Sequence, residues 1–118
     1  RLQNLPRIFH VNWFRKGADG KFLWPGFGDN LRVLQWILDR CAGKAEAEET
    51  PIGFLPRRED LDLRGLEKLN GALDTLLTVD QEGWRRELDE IGGYLNSFGD
   101  RVPEALRAEQ QRVRASLG

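Results

Sequence analysis

Three phenylalanines and an asparagine near the start of the chain, Phe14, Phe22, Phe27 and Asn30, are the residues best suited to bind something. Asp19-Gly20 supplies tight-turn chemistry, so a hairpin over this stretch would bring Phe14 and Phe22 together. The loop Trp24-Pro25-Gly26-Phe27-Gly28 fixes one φ and frees two others, which would let Phe27 swing to the same mouth. Planar aromatic walls suit a planar ligand, and stacking on a nucleobase contributes about 1–3 kcal/mol per base. Stacking does not distinguish one purine from another. The Asn30 amide both donates and accepts, and with free backbone groups around Gly26 and Gly28 it could read a base edge. The plain alternative is that these aromatic side chains fill a core, which is their commoner use.

Other chemistries lack their parts. Gly26-x-Gly28 leads into Asp29-Asn30 and not into Gly-Lys-Ser/Thr, so there is no Walker lysine. One histidine and one cysteine provide no zinc-ligand spacing. No nucleophile triad or carboxylate pair can be assembled. His10 reads as a histidine satisfied by a hydrogen bond, Cys41 as a small core residue, and Arg57-Arg58 as a solvated pair. An independent active site is not expected.

These residues need elements to hold them. Residues 7–14 are short and rich in β-branched and aromatic types, which predicts a strand, with 21–24 returning as a second. A helix should run from about Asp29 or Asn30 to Ala42 and stop at Gly43. Its apolar arc (Leu31, Val33, Leu34, Ile37, Leu38, Cys41, widened by Trp36) is too broad for an ordinary surface helix. It therefore expects protein on more than one side. Residues 44–49 read as an exposed acidic linker, and 50–56 as an extended stretch bounded by prolines, with any strand short or at an edge. A short helix is predicted over 62–69. Asp80 should cap a helix to about Phe98, with a stripe from Trp84 through Leu88 and Ile91 to Phe98, and with i,i+4 pairs such as Arg85–Asp89. Gly92-Gly93 within it costs roughly 1 kcal/mol per glycine. Pro103 suits the first turn of a last helix to Leu117. The expected fold is α+β, predominantly helical: a small hairpin or sheet remnant and three to four helices. Residues 1–56 carry the aromatic segment and its following helix, and 57–118 a helical tail, as one structural unit.

Composition narrows the function further. The 118 residues are 40% hydrophobic with a net charge of −1, which suits a globular segment and argues against nucleic-acid binding. No apolar run approaches the ~20 residues of a membrane span. A lone cysteine forms no internal disulfide, so the cytoplasm is the expected compartment. The chain begins at Arg1 and contains no Met, so it reads as an excised segment.

Beyond composition there is a resemblance. Phe9, Val11-Asn12-Trp13-Phe14-Arg15-Lys16, then Phe22-Leu23-Trp24-Pro25-Gly26-Phe27-Gly28-Asp29-Asn30, Arg32-Val33-Leu34, Trp36-Ile37 and Thr50-Pro51-Ile52-Gly53 resemble the C-terminal signature of the GTP-dependent phosphoenolpyruvate carboxykinases. The match is close over residues 6–56 and holds only in character over the helical tail. Asp29 departs from the Glu of many members. The resemblance implies a segment of the larger nucleotide-binding domain of an enzyme that converts oxaloacetate and GTP to phosphoenolpyruvate, GDP and carbon dioxide in gluconeogenesis. It implies a guanine pocket at Phe14, Phe22, Phe27 and Asn30. It also implies that the divalent manganese or magnesium, the triphosphate loop, the oxaloacetate-binding arginines and the lid belong to upstream sequence. His10 and Cys41 match none of those motifs. The expected partners are a guanine nucleotide and the rest of the parent enzyme. The isolated segment should be inactive and should self-associate or show exposed apolar surface. The competing reading is a non-enzymatic interaction or structural module that binds no nucleotide.

Overall fold

The computed structural model describes Gln3 and residues 5–118. The chain forms two compact units. One takes in the chain up to Glu48 together with Phe54–Thr78, and the other takes Glu49–Gly53 and Val79–Gly118. The architecture is α+β and predominantly helical, as the sequence predicts.

In the first unit the hairpin forms only at its tip. The Gly17 N–H donates to the Lys21 carbonyl (2.9 Å) and the Leu23 N–H to the Arg15 carbonyl (2.9 Å), around an antiparallel bridge between Lys16 and Phe22. Gly20 turns the chain at φ 76°, as the Asp-Gly pair predicts. The strands expected at 7–14 and 21–24 do not form, and residues 5–12 carry no regular structure. Two local causes are visible. Asn12 Oδ1 accepts the Phe14 N–H (3.0 Å), removing a donor that a ladder would need. On the other arm, Pro25 has no N–H to donate and Gly26, at φ 124°, turns the chain away.

A 3-10 turn at Phe27–Asp29 leads into helix α1 (Asn30–Cys41), which stops at Ala42 and Gly43 (φ 70°) where expected. Asp29 sits at the N-cap without capping. Its carboxylate instead accepts from Arg32 Nε at 3.0 Å. Arg32 also donates to the carbonyls of Asp62 (2.5 Å) and Arg64 (3.0 Å), bracing the start of α1 against chain thirty residues on.

The two-stranded sheet lies further along than expected. Strands β1 (Glu48–Thr50) and β2 (Gly53–Leu55) pair across a turn in which Thr50 Oγ1 donates to the Gly53 carbonyl (2.6 Å). The helix predicted over 62–69 is displaced. Gly65, at φ 79°, interrupts that stretch, and a 3-10 turn at Glu67–Leu69 opens into helix α2 (Asn70–Leu77).

The core of this unit consists of Trp24, Trp36, Leu61, Leu69 and Leu73, with Phe9, Trp13, Val33 and Ile37 packed against it. It draws side chains from the aromatic loop, α1 and the α2 region, so burial fixes the loop and α1 against a common centre. Only part of the broad α1 arc is used. Leu31, Leu34 and Leu38 stay exposed, and so does Cys41, which is not the core residue its position predicts. These four recur at helical spacing opposite Trp36, so the inward face is satisfied and a second apolar face remains open.

The second unit is an antiparallel pair of helices, α3 (Gln81–Asn96) and α4 (Glu104–Ser116). Asp80 caps α3 through the Gly83 N–H (3.1 Å), as predicted. The expected i,i+4 pairs give way to bonds between the helices. Arg114 Nε meets Asp89 (2.8 Å), Arg107 Nη1 meets Asn96 Oδ1 (2.5 Å), and Arg85 Nη2 donates to the Leu117 carbonyl (2.5 Å). Along the predicted stripe Leu88 is buried, while Tyr94 and Phe98 pair edge-to-face at 5.0 Å and stay exposed. Gly92 serves packing. A Cβ there would lie 3.0 Å from Gln110 Nε2, whose amide donates to the Leu88 carbonyl at 2.7 Å.

Candidate functional site

The hairpin tip and the proline–glycine loop place the four candidate residues as follows. Phe14 and Phe22 meet edge-to-face, with ring centroids 5.8 Å apart, on the two arms of the tip. Lys16 Nζ lies 5.5 Å from the Phe22 centroid. Phe27 opens the 3-10 turn, and Gly26 in front of it adopts a φ of 124° that L side chains rarely tolerate. That turn carries the Phe27 ring outward, where it is 93% exposed and pairs with no other ring among the described residues. Phe14 and Phe22 are 71% and 56% exposed. None of the three fills the core, a role taken by Trp24 and Trp36.

Asn30, the first residue of α1, is half-buried. Its Oδ1 accepts a 2.8 Å hydrogen bond from Nε1 of Trp24, a residue only 6% exposed. Sequence reasoning assigned Trp24 no part in this cluster. The available signal was a tryptophan six residues before an asparagine across a proline–glycine loop, since a buried indole N–H seeks an acceptor. The indole also sits 6.2 Å from that of Trp13, so the bond to Asn30 is anchored in packed aromatic side chains.

A shallow groove of about 630 Å³ adjoins Phe22, lined by Lys21, Leu23, Pro25, Leu66 and Leu69 among others. It shares only Phe22 with the cluster. Among the described residues the strongly shifted carboxyl is that of Asp62, held well below the usual carboxylate range by hydrogen bonds from the Arg64 side chain and backbone. Glu109 is lowered in the same way by Arg112. Both are exposed surface pairs outside the aromatic cluster. His10 is exposed, and Arg58 is ion-paired with Asp74 (2.5 Å). Among the described residues, no three His, Cys, Asp or Glu side chains come close enough together to hold a metal ion. No helix among them is long and apolar enough to cross a membrane. The arrangement can stack a flat ligand and offer an amide to its edge. It presents no nucleophile or general base.

Exposed rings at Phe14, Phe22 and Phe27 and a half-buried amide held by Trp24 are thus carried on an α+β scaffold. Residues 1–116 match the family described as the phosphoenolpyruvate carboxykinase C-terminal P-loop domain, and the chain belongs to that family. Its relatives include proteins named phosphoenolpyruvate carboxykinase [GTP]. One from Arthrobacter sp. (strain FB24) is 54% identical over 98% of this chain and 19% of its own length. Another, from Treponema pallidum (strain Nichols), is 51% identical over 99% and 19%. A third, from Chlamydia trachomatis serovar D, is 48% identical over 96% and 19%. The chain thus spans about a fifth of the length of the curated relatives it matches.

Proposed function

We propose that this chain supplies the guanine-binding surface of a GTP-dependent phosphoenolpyruvate carboxykinase, the enzyme that turns oxaloacetate and GTP into phosphoenolpyruvate, GDP and carbon dioxide. The observation that carries the reading is the exposure of Phe14, Phe22 and Phe27. Three aromatic rings kept in solvent beside a packed core are costly unless a ligand or the rest of the parent enzyme covers them, and their flat faces suit a base. The relatives' names support a guanine nucleotide as that ligand. Phe14 and Phe22 form one wall, the exposed Phe27 a second, and Asn30 reads the base edge.

The segment binds and orients the base. Phosphoryl transfer and decarboxylation fall to the rest of the enzyme. The manganese or magnesium ion that the family resemblance implies would supply Lewis-acid chemistry there. The cytoplasm is the compartment this reading implies, in keeping with a single unpaired cysteine.

The test uses the full-length enzyme carrying this segment. Phe14→Ala should raise KM for GTP while leaving KM for oxaloacetate within about twofold, because stacking energy is spent on the base alone. An unchanged KM for GTP would remove Phe14 from the pocket. The alternative is a structural module that binds no nucleotide, and the open apolar face of α1 favours it. That reading expects substitutions in the aromatic cluster to leave nucleotide binding untouched.

A further inference from the structure

Trp24 and Asn30 together answer a question that stacking leaves open, namely how a purine is chosen. An indole N–H can only donate, so the atom of the Asn30 amide facing Trp24 Nε1 at 2.8 Å must be its oxygen. The amide therefore cannot turn over without leaving a buried N–H unpaired, because Trp24 is only 6% exposed. Its other end, Nδ2, makes no hydrogen bond among the described residues and remains available as a donor. Asn30 also opens α1, whose first turn is braced by the Arg32 contacts to Asp29, Asp62 and Arg64. The Asn30 backbone N–H in turn donates to the Phe27 carbonyl.

We propose that Trp24 is a positioning residue for purine selection: by claiming Oδ1 of Asn30 it makes that side chain a donor only, and so favours 6-oxopurine over 6-aminopurine nucleotides. The proposal rests on the guanine-pocket reading and adds the origin of its specificity. A guanine or hypoxanthine O6 accepts from an amide NH2. The exocyclic amine of adenine presents hydrogens to the same hydrogens and gains no bond. Discrimination then comes from the mismatched pair, an unfavourable contact built against the wrong base.

The experiment compares GDP, IDP and ADP affinities by calorimetry in the full-length enzyme carrying this segment. Trp24→Phe keeps the ring and deletes the N–H, freeing the amide to turn. The GDP-to-ADP affinity ratio should fall roughly three- to tenfold, the range of one net hydrogen bond, and IDP should follow GDP. Asn30→Asp leaves Trp24 in place and puts an acceptor where the NH2 was, so it should move preference toward ADP. Parallel changes in all three affinities with Trp24→Phe would mean that the indole only supports the fold, and would overturn the proposal. Retention of the full GDP preference by Asn30→Asp would overturn it as well, and that variant decides the matter if Trp24→Phe does not fold. Phe27→Ala separates the two levels of argument. If it weakens no nucleotide, the pocket reading itself fails. If it weakens all three while Trp24→Phe leaves the ratio unchanged, only the positioning role is lost.

Discussion

Replacing Phe27 by alanine should separate binding from stability. The ring is 93% exposed, so less than a tenth of its surface is covered by the protein. Full burial of such a side chain contributes about 1.5–3 kcal/mol, and the covered share is therefore worth at most roughly 0.3 kcal/mol. The backbone supports the same conclusion, because the unusual φ belongs to Gly26 and the residue after it is free to change. Phe27→Ala should leave the thermal midpoint of the full-length enzyme within about one degree of the parent. Loss of one stacking wall should weaken GDP, IDP and ADP alike by about 1–3 kcal/mol, or roughly 5- to 150-fold in Kd. The assay pairs a calorimetric melt with nucleotide titrations on the same preparation. Unchanged nucleotide affinity would refute the stacking role. A loss of stability above about 1 kcal/mol would refute the premise that the ring stands free of the core.

Four further outcomes concern the scaffold and are checked by denaturant unfolding or by sedimentation. Leu73→Ala, at a side chain only 1% exposed in the first unit, should cost about 2–5 kcal/mol by leaving a cavity. The adjacent glycines of α3 should behave differently: Gly93→Ala, with open space around its Cβ, should stabilise by about 1 kcal/mol. Gly92→Ala should give little or no gain, because its Cβ meets Gln110 Nε2 at 3.0 Å and threatens the bond to the Leu88 carbonyl. The isolated segment should self-associate through Leu31, Leu34 and Leu38, and Leu34→Lys with Leu38→Glu should shift its sedimentation toward the monomer.

Helices α1, α3 and α4 were legible because their signals are local, whereas α2 begins past the predicted 62–69. Asn30–Cys41 ends where Gly43 allows a left-handed turn, and Asp80 caps α3 through its own first turn. The failures had local side-chain causes in the strands and distant ones elsewhere. A strand over 7–14 required a partner, and the Asn12 side chain bonds the neighbouring backbone instead. Arg85–Asp89 has ideal helical spacing, yet each residue bonds to α4 or the residue just after it, which spacing along one helix cannot reveal. Cys41 fell on the apolar arc of α1, but only the Trp36 side of that arc met a core. At the site, residue type and turn chemistry were enough to bring Phe14 and Phe22 together. The Trp24 bond to Asn30 was out of reach, since it depends on which of the four tryptophans are buried and which way the Trp24 indole points.

The Arg32 brace limits how far this surface can be transplanted. Asn30 stands two residues before a guanidinium whose acceptors include the carbonyls of Asp62 and Arg64. A peptide cut after the Trp24–Asn30 loop would keep the sequence motif and lose the clamp that holds α1 at its start. The shortest piece able to be grafted onto a foreign scaffold, or reproduced as a nucleotide-sensing miniature, runs from the hairpin through α2, because Leu69 and Leu73 complete the core that holds Trp24 and α1. Designers who copy only the contiguous aromatic motif should obtain a sticky loop with no purine preference.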